Sequence, residues 1–285
     1  YSVFELIYFR ELIELTDFFF FFADWLKSKK LWLFDMDGTI YNEDTLFCGT
    51  LELLSKIRES GGRYVFITNN SSKSTEEYIK KINDFGIEAD RDNFFTSVDA
   101  TIDLLKEKFP GALVYCQGTK AMIKQLTDAG ISVTEKVEDG ISLVLTGYDT
   151  ELTSAKLRNT CEILLRDVEY YATNPDLVCP VSFGYVPDCG SVSIMLHNEK
   201  RKKPIYIGKP QPTMIDSVMK KFSVSRDDTI IIGDRLYTDI ALGKKHGVCA
   251  TLVLSGETLP EDVLAASDAE KPDFVFDSLD DVNKS

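Results

Sequence analysis

The chain has 285 residues, of which 44% are hydrophobic and 27% charged; this composition excludes collagen, a wholly disordered chain and a small disulfide-held domain. Its length suggests about two domains, or one large domain with an insertion. The 46 acidic residues outnumber the 32 basic ones and give a formal charge of −14, so nucleic acid is not an expected partner, and a site for an anionic substrate must supply its own cation.

Residues 1–30 are predicted to form an amphipathic helical extension. Its apolar stripe recurs every three or four positions and consists of Phe4, Tyr8, Leu12, Leu15, Phe19, Phe22 and Leu26. Acidic residues interrupt the apolar runs, so we expect neither a membrane span nor a signal peptide. A helix docked on the body or in a dimer contact is favoured, while a helix in a membrane interface and a disordered or artificial end stay open.

After the extension, short β-rich runs alternate with helical patterns, which predicts an α/β protein built on a parallel sheet. A strand at 31–34, a helix at 50–58 and a strand at 64–67 form the first unit, with a right-handed crossover. A capping box of Ser74 and Glu77 starts the next helix. Further strands are predicted at 112–116, 143–145, 170–173, 193–196, 205–207, 229–232, 250–254 and 274–276, and further helices at 214–222 and 239–246.

Polar side chains follow four of these strands at the point where each strand ends. They are Asp35 and Asp37 with Gly38, Thr68 with Asn69 and Asn70, Lys209, and Asp234 with Asp239. An open parallel sheet presents its ligand-binding side chains at this edge. Each group alone is typical of a turn, a helix cap or a solvated surface. Together they offer a nucleophile, an acid and base, hydroxyl and amide donors, a cation and ligands for Mg²⁺, which is the chemistry of phosphoryl transfer.

These motifs resemble those of the haloacid dehalogenase superfamily of Mg²⁺-dependent phosphatases, over residues 31–279. The matching segments are Asp35-Met36-Asp37-Gly38-Thr39, Thr68-Asn69, Lys209 and Gly233-Asp234 through Asp239. More narrowly, the chain looks like the NagD-like or 4-nitrophenylphosphatase-type branch, subclass IIA, which inserts a large α/β cap of the C2 type between the second and third motifs. The segments for this branch are Thr68-Asn69-Asn70-Ser71-Ser72, Thr173-Asn174-Pro175-Asp176, Gly208-Lys209-Pro210 and Gly233-Asp234-Arg235-Leu236-Tyr237-Thr238-Asp239.

The resemblance implies a Rossmann-like parallel-sheet core with an inserted α/β cap. The expected domains are the extension at 1–30, the catalytic core at 31–97 and 200–285, and the cap at 98–199. The long stretch between Asn70 and Lys209 supports the insertion independently, because it exceeds a plain crossover and contains its own predicted strands and helices.

By chemistry and by resemblance, we expect Asp35 to attack the phosphate and form an aspartyl phosphate. Asp37 is expected to protonate the leaving alcohol and later to deprotonate the hydrolytic water. The resemblance places Mg²⁺ on the Asp35 carboxylate, the Asp37 carbonyl and Asp234, with Asp239 orienting Lys209 or a metal-bound water. Phosphate or substrate binding is assigned to Gly38, Thr68, Asn69, Asn70, Lys209, Asn174 and Asp176.

The sequence therefore predicts a phosphoric monoester hydrolase for a small phosphorylated metabolite: a sugar phosphate, glycerol phosphate, nucleoside monophosphate or pyridoxal phosphate, with 4-nitrophenyl phosphate as an artificial substrate. Tyr148, Asp149 and the turn at 187–191 are further candidates for substrate contact. The resemblance implies a homodimer, and scattered cysteines without a redox or zinc motif indicate a reducing, cytoplasmic location. A phosphotransferase or phosphomutase of the same superfamily, and a catalytically idle scaffold located by its first helix, stay open as alternatives.

Overall fold

The computed structural model describes residues 28–200 and 202–285. The predicted N-terminal stripe lies outside the described residues. The chain divides into two compact units: the first holds the described residues up to Val65 together with Phe222–Ser285, and the second holds Phe66–Lys221. The limits expected for the cap, 98 and 199, stay a prediction.

Strands and helices alternate along the described chain, which confirms the α/β class. The strands are β1 (Leu31–Phe34), β2 (Tyr41–Asn42), β3 (Thr45–Leu46), β4 (Arg63–Thr68), β5 (Phe94–Thr96), β6 (Leu113–Gln117), β7 (Ser132–Thr134), β8 (Ile141–Thr146), β9 (Glu169–Ala172), β10 (Val178–Val181), β11 (Gly184–Pro187), β12 (Ile205–Tyr206), β13 (Thr229–Gly233), β14 (Cys249–Val253) and β15 (Phe274–Phe276). The helices are α1 (Thr50–Glu59), α2 (Thr75–Asp84), α3 (Ser97–Lys108), α4 (Lys120–Asp128), α5 (Ser154–Ile163), α6 (Cys189–Lys200), α7 (Pro212–Phe222), α8 (Ala241–His246), α9 (Pro260–Ala265) and α10 (Leu279–Lys284). Within the ranges described, no helix is long and apolar enough to cross a membrane.

The first unit is built on a parallel sheet with the strand order β15-β14-β13-β1-β4. β1 and β13 are buried along their whole length, and their nearly continuous apolar runs are typical of parallel strands that are covered on both faces. The register pairs Phe34 with Ile232, so the residues after β1 and after β13 emerge at the same edge. Two of the predicted acidic motifs start at this edge.

The second unit contains the end of β4, which pairs with β5, and a five-stranded parallel sheet in the order β12-β9-β8-β6-β7. The hydrophobic core on this sheet includes Tyr115, Val144, Tyr170 and Leu196. Because β12 pairs in parallel with β9, the chain leaves both strands at one edge. That pairing brings the segment before Lys209 against the segment that follows Ala172.

The predicted capping box at the start of α2 is confirmed. Ser74 Oγ accepts a hydrogen bond from the Glu77 amide at 3.2 Å, and Glu77 Oε2 accepts one from the Ser74 amide at 2.7 Å. Thr96 and Asp99 form an equivalent box at the start of α3. Both boxes satisfy amide groups that a helix N-terminus leaves without intrahelical partners.

The strand predicted at 193–196 is wrong, because these residues lie inside α6. The short apolar run is ambiguous by periodicity, since buried helices and buried strands both contain such runs. The side chains of Cys189, Val192 and Leu196 are buried, whereas Met195 is half exposed, which is helical spacing. The buried face of this helix packs into the hydrophobic core that also contains Tyr115, Val144 and Tyr170.

Candidate active site

Three carboxyl groups meet at the carboxyl edge of the first unit's sheet. Asp35 follows β1, Asp234 follows β13, and Asp239 lies in a π-helical turn at Leu236–Ile240. One oxygen atom of each carboxyl lies within 4.8 Å of those of the other two, and Asp234 and Asp239 are buried. The structure thus brings together three aspartates that the sequence places up to 204 positions apart, from 35 to 239.

Asp37 lies where the chain turns after β1 and is not a member of this group. Its main chain forms an isolated β-bridge with Tyr41, and its Oδ2 accepts a hydrogen bond from the Tyr41 hydroxyl at 3.4 Å. Gly38 follows with a φ of +85°, a left-handed conformation that glycine adopts without steric cost. Asp35 therefore lies in the carboxyl group with Asp234 and Asp239, whereas the Asp37 carboxyl contacts the Tyr41 hydroxyl.

A loop at 255–258, which the sequence reasoning missed, holds Asp234 in place. The Glu257 amide donates to Asp234 Oδ2 at 2.7 Å, and the Thr258 hydroxyl donates to the Asp234 carbonyl at 2.5 Å. Ser255 Oγ donates to the Gly38 carbonyl at 2.8 Å, which ties the loop to the turn after β1. The loop follows β14, so the rule that ligand-binding groups follow parallel strands would have pointed to it.

Gly256 allows this loop to approach Asp234 closely. A Cβ atom at Gly256 would lie 2.0 Å from Asp234 Oδ2, and one at Gly38 would lie 2.5 Å from the same atom. Contacts this short do not occur between real atoms, so any larger residue must displace either the loop or the carboxyl group. The two glycines therefore define the position of the Asp234 carboxyl.

The electrostatics of the group call for a cation. Burial raises the pKa of Asp234, and the neighbouring carboxyls of Asp35 and Asp239 raise it further, whereas Arg235 lowers it. The Arg235 guanidinium also forms an ion pair with Glu257, with Nε 2.9 Å from Oε2. Clustered carboxyl oxygens are the ligands that a hard divalent ion such as Mg²⁺ prefers, and the charge of such an ion would offset the repulsion among them. The donor set fits the ion that the sequence predicts.

In the second unit, the residues after β4 form a hydrogen-bonded turn. Thr68 Oγ1 accepts a hydrogen bond from the Asn70 amide at 3.1 Å, so its own hydroxyl hydrogen can be donated elsewhere. Asn70 Oδ1 accepts hydrogen bonds from the amide of Ser72 at 2.9 Å and from its hydroxyl at 2.7 Å. The turn fixes the direction of the Thr68 hydroxyl at the end of a buried strand.

Lys209 is brought together with three further predicted residues in the same unit. Its side chain is buried, and its Nζ donates to the Ile67 carbonyl, at the end of β4, at 3.3 Å. The Asn69 side chain forms hydrogen bonds with the Lys209 main chain, and Asn174 and Asp176 form hydrogen bonds with Asn69. A buried ammonium group beside a strand end is suited to binding an anion.

Comparison with known proteins agrees with this geometry. A family model described as haloacid dehalogenase-like hydrolase matches residues 32–132, and one described as HAD-hydrolase-like matches residues 206–282. The crystal structure of 4-nitrophenylphosphatase from Thermotoga maritima is similar, with a TM-score of 0.87 and 37% identity, over 92% of this chain and 98% of that chain. The chain belongs to the haloacid dehalogenase superfamily.

Within this superfamily the protein is a NagD-like phosphatase of subclass IIA, with a Rossmann-like core and a cap, and it is a phosphoric monoester hydrolase. An acid sugar phosphatase of Staphylococcus saprophyticus is 29% identical over 259 residues, 91% of this chain and 98% of that protein. A glycerol phosphate phosphatase of Mycobacterium tuberculosis, crystallised with magnesium, has a TM-score of 0.84 and 25% identity, over 90% of this chain and 76% of that chain. The substrates of these relatives thus have different alcohol groups.

In this haloacid dehalogenase phosphatase, the remaining candidates for substrate contact have structural partners. Both carboxyl oxygens of Asp149 accept hydrogen bonds from Lys156 Nζ, at 3.1 and 2.9 Å, and Lys156 Nζ also donates to the Gly118 carbonyl. The main-chain amide of Tyr148 donates a hydrogen bond to Ser71 Oγ at 2.8 Å. These bonds connect the ends of β6 and β8 to the turn after β4. The predicted turn at 187–191 holds the end of β11 and the first residues of α6.

Proposed function

We propose that the protein hydrolyses small phosphate monoesters in a Mg²⁺-dependent reaction that passes through an aspartyl phosphate on Asp35. The observation that carries the proposal is the convergence of the Asp35, Asp234 and Asp239 carboxyl oxygens within 4.8 Å at the end of a buried parallel sheet. Such a group is costly to bury unless a cation compensates it. A bound ion that serves catalysis best explains why the fold tolerates the free-energy cost of burying these three carboxyl groups together.

The residues that would hold Mg²⁺ are Asp35, Asp234 and the main-chain carbonyl of Asp37. When bound, the ion supplies positive charge to the phosphate oxygens and reduces the repulsion between phosphate and carboxylates. Asp239 is buried beside Asp234 and accepts a hydrogen bond from the Arg235 amide at 3.3 Å. We assign it to orienting the groups around the ion, because its carboxyl is fixed by the chain that follows Asp234.

In the first half-reaction, the Asp35 carboxylate attacks phosphorus and the bond from phosphorus to the ester oxygen breaks. Asp37 donates its proton to that oxygen, so the product leaves as a neutral alcohol. The hydrogen bond from the Tyr41 hydroxyl to Asp37 Oδ2 orients the carboxyl for this transfer. In the second half-reaction, Asp37 removes a proton from water as the water attacks the aspartyl phosphate, which restores Asp35 and releases inorganic phosphate.

The nonbridging phosphate oxygens are proposed to accept hydrogen bonds from the Thr68 hydroxyl and from the chain at Gly38, Asn69 and Asn70. Lys209 would supply a fixed positive charge. A chain with a formal charge of −14 repels phosphate esters at long range, so this lysine and the ion together provide the local cation that an anionic substrate needs.

We propose a sugar phosphate, glycerol phosphate, nucleoside monophosphate or a similar small ester as the substrate class. The proposal is supported by the names of the relatives, an acid sugar phosphatase and a glycerol phosphate phosphatase.

We further propose a homodimer in the cytoplasm. All six cysteines are free thiols, which fits a reducing compartment. Light scattering at several concentrations would test the dimer, with a mass of twice 32.1 kDa expected.

The decisive experiment measures phosphate release from 4-nitrophenyl phosphate and a panel of small phosphate esters, with and without Mg²⁺. We expect turnover that requires Mg²⁺ and that Asp35→Asn abolishes, because an amide is not a nucleophile for phosphorus. Asp268→Asn, which changes an exposed carboxyl in the same unit, is the matched control and should retain full activity. A folded wild-type protein without turnover in the presence of Mg²⁺ would overturn the proposal and favour a transferase or an idle scaffold.

A further inference from the structure

The side chain of Asn69 is bonded to the main chain of Lys209 on both sides. Asn69 Oδ1 accepts a hydrogen bond from the Lys209 amide at 2.7 Å, and Asn69 Nδ2 donates to the Lys209 carbonyl at 2.9 Å. The side-chain amide thus pairs with both polar groups of one residue, as a neighbouring strand would. The side-chain amide of Asn69 thus fixes the position of the Lys209 main chain, from which the Lys209 side chain extends.

Asp176 fixes the orientation of that amide. Its two carboxyl oxygens each lie 3.2 Å from Asn69 Nδ2, and the residue is buried. The oxygen and nitrogen of an Asn amide can exchange places by a half-turn of the side chain. A half-turn at Asn69 would set its oxygen against both oxygens of Asp176, so the carboxyl group selects the orientation that pairs with Lys209.

The surrounding chain holds these two side chains together. Asn174 Nδ2 donates to the Asn69 carbonyl at 2.9 Å, and Asn174 Oδ1 accepts from the Asp176 amide at 3.0 Å. Gly208 leaves room for the contact, since a Cβ atom there would lie 2.4 Å from Asn69 Oδ1. Asn174, predicted from the sequence as a substrate contact, is here part of the support for Asn69.

We infer that Asp176 is a positioning residue: it holds Asn69, and through Asn69 the main chain of Lys209, and it does not select the alcohol group of the substrate. The inference rests on the proposed function, because the consequence for catalysis comes through Lys209 as the proposed phosphate-binding cation. It differs from the sequence-based expectation, in which Asp176 contacts the substrate directly. The two roles have different kinetic signatures.

The first test compares Asp176→Asn with wild type on 4-nitrophenyl phosphate, glycerol phosphate and a sugar phosphate. A misplaced Lys209 weakens the interaction with the phosphoryl group that all esters share, so kcat should fall by about tenfold or more on every ester, by the same factor. Inhibition by inorganic phosphate should weaken in parallel. Asp99→Asn is the matched control: it alters an equally buried carboxyl in the same unit, which caps α3, and should leave kcat unchanged.

The second test asks whether Asp176 acts through Asn69. If it does, Asn69→Ala combined with Asp176→Asn should reduce kcat no further than Asn69→Ala alone. The bond from Asn69 to Asp176 is already absent in Asn69→Ala, so the second substitution has nothing left to disrupt. Independent contributions would instead multiply. An additive double variant, a loss confined to some of the esters, or a loss equal to that of the Asp99→Asn control would each overturn the inference.

Hydrogen exchange provides a readout that does not depend on activity. The amide of Lys209 should exchange faster in Asp176→Asn than in wild type or in Asp99→Asn, because its acceptor, Asn69 Oδ1, is then free to turn away. Unchanged protection of the segment 205–211 would contradict the inference. If wild type showed no phosphatase activity, the proposed function would fail, while this exchange experiment would still decide whether Asp176 holds Lys209.

Discussion

Asp234 shows how much the candidate site depends on single contacts. Its carboxyl group is buried beside two other carboxyls, and the loop at 255–258 reaches it through a main-chain amide rather than through a side chain. A main-chain donor has a fixed position once the loop is folded, and so it costs no side-chain entropy when it binds. The position of Asp234 therefore depends on the shape of that loop, and in particular on Gly256.

We expect Gly256→Ala to lower both activity and stability. The added methyl group would overlap Asp234 Oδ2, and relieving the overlap costs about 1–3 kcal/mol in a tightly packed site. Steady-state kinetics and thermal unfolding would measure the two effects. Gly140→Ala is the control: Gly140 has a positive φ, but no atom lies within 4 Å of the position that an added methyl group would take, so the change should cost stability without loss of kcat. Full activity in Gly256→Ala would contradict the expectation.

Among the secondary-structure elements, the parallel strands bring the candidate site residues to one edge of the sheet. β1 and β13 are adjacent and in register, so the sheet carries Asp35 and Asp234 to one edge without any contribution from the side chains themselves. α2 follows the turn after Thr68, and its capping box holds the end of that turn. Local stability at this helix start should therefore be measurable separately from catalysis.

We expect Ser74→Ala to lower the free energy of unfolding by about 1 kcal/mol, since it removes the acceptor for the Glu77 amide. Urea denaturation followed by circular dichroism would measure the change. Ser132→Ala, at an exposed position of β7, is the comparison and should have a much smaller effect. Equal effects of the two substitutions would show that the cap contributes nothing to stability.

For the molecule as a whole, the balance of charge connects metal binding to stability. The chain is strongly acidic, and its three grouped carboxyls add local repulsion to that excess. Without a cation, ionisation of Asp234 opposes folding, because burial and the neighbouring carboxyls raise its pKa and so favour its protonated form. With a cation, the same ionised group becomes a ligand and stabilises the native state.

The raised pKa of Asp234 predicts that the free energy of unfolding of the metal-free protein depends on pH. The pKa of Asp234 is higher in the folded than in the unfolded chain, so its favourable contribution is present below the unfolded pKa and is lost as the pH rises through the folded pKa. Metal-free wild type should therefore lose stability relative to Asp234→Asn as the pH rises from about 4 to about 7, by at most about 1.4 kcal/mol for each pH unit, and the difference should level off at higher pH. Thermal or urea unfolding in the presence of a chelator would measure this difference.

Saturating Mg²⁺ should remove the loss in wild type and raise its unfolding temperature, because an ion that binds only the native state stabilises it. Asp234→Asn should respond much less, since it lacks one of the proposed ligands. A wild-type unfolding temperature that does not change with Mg²⁺ would contradict the assignment of the ion to these carboxyls.

Several features of the fold and of the candidate site could be predicted because they depend on residues close in sequence. Asp35 and Asp37 follow an apolar run directly, and a buried parallel strand leaves its next residues at the ligand-binding edge whatever the rest of the chain does. The capping box of Ser74 and Glu77 is equally local. The apolar run at 193–196 marks the limit of such reasoning, since a few apolar residues fit a helix and a strand alike.

The sequence by itself determined the α/β class, the chemical inventory of the site and the family, because residue types and short spacings are covalently fixed. Only the tertiary structure decided what those residues bond to. Asn69 meets Asp176 across 107 positions and Lys209 across 140, and the pairing of β12 with β9 brings the segments of Asp176 and Lys209 to the same edge. A side-chain amide bonds to whatever donor and acceptor folding brings within about 3 Å, and that choice depends on long-range strand pairing rather than on local pattern.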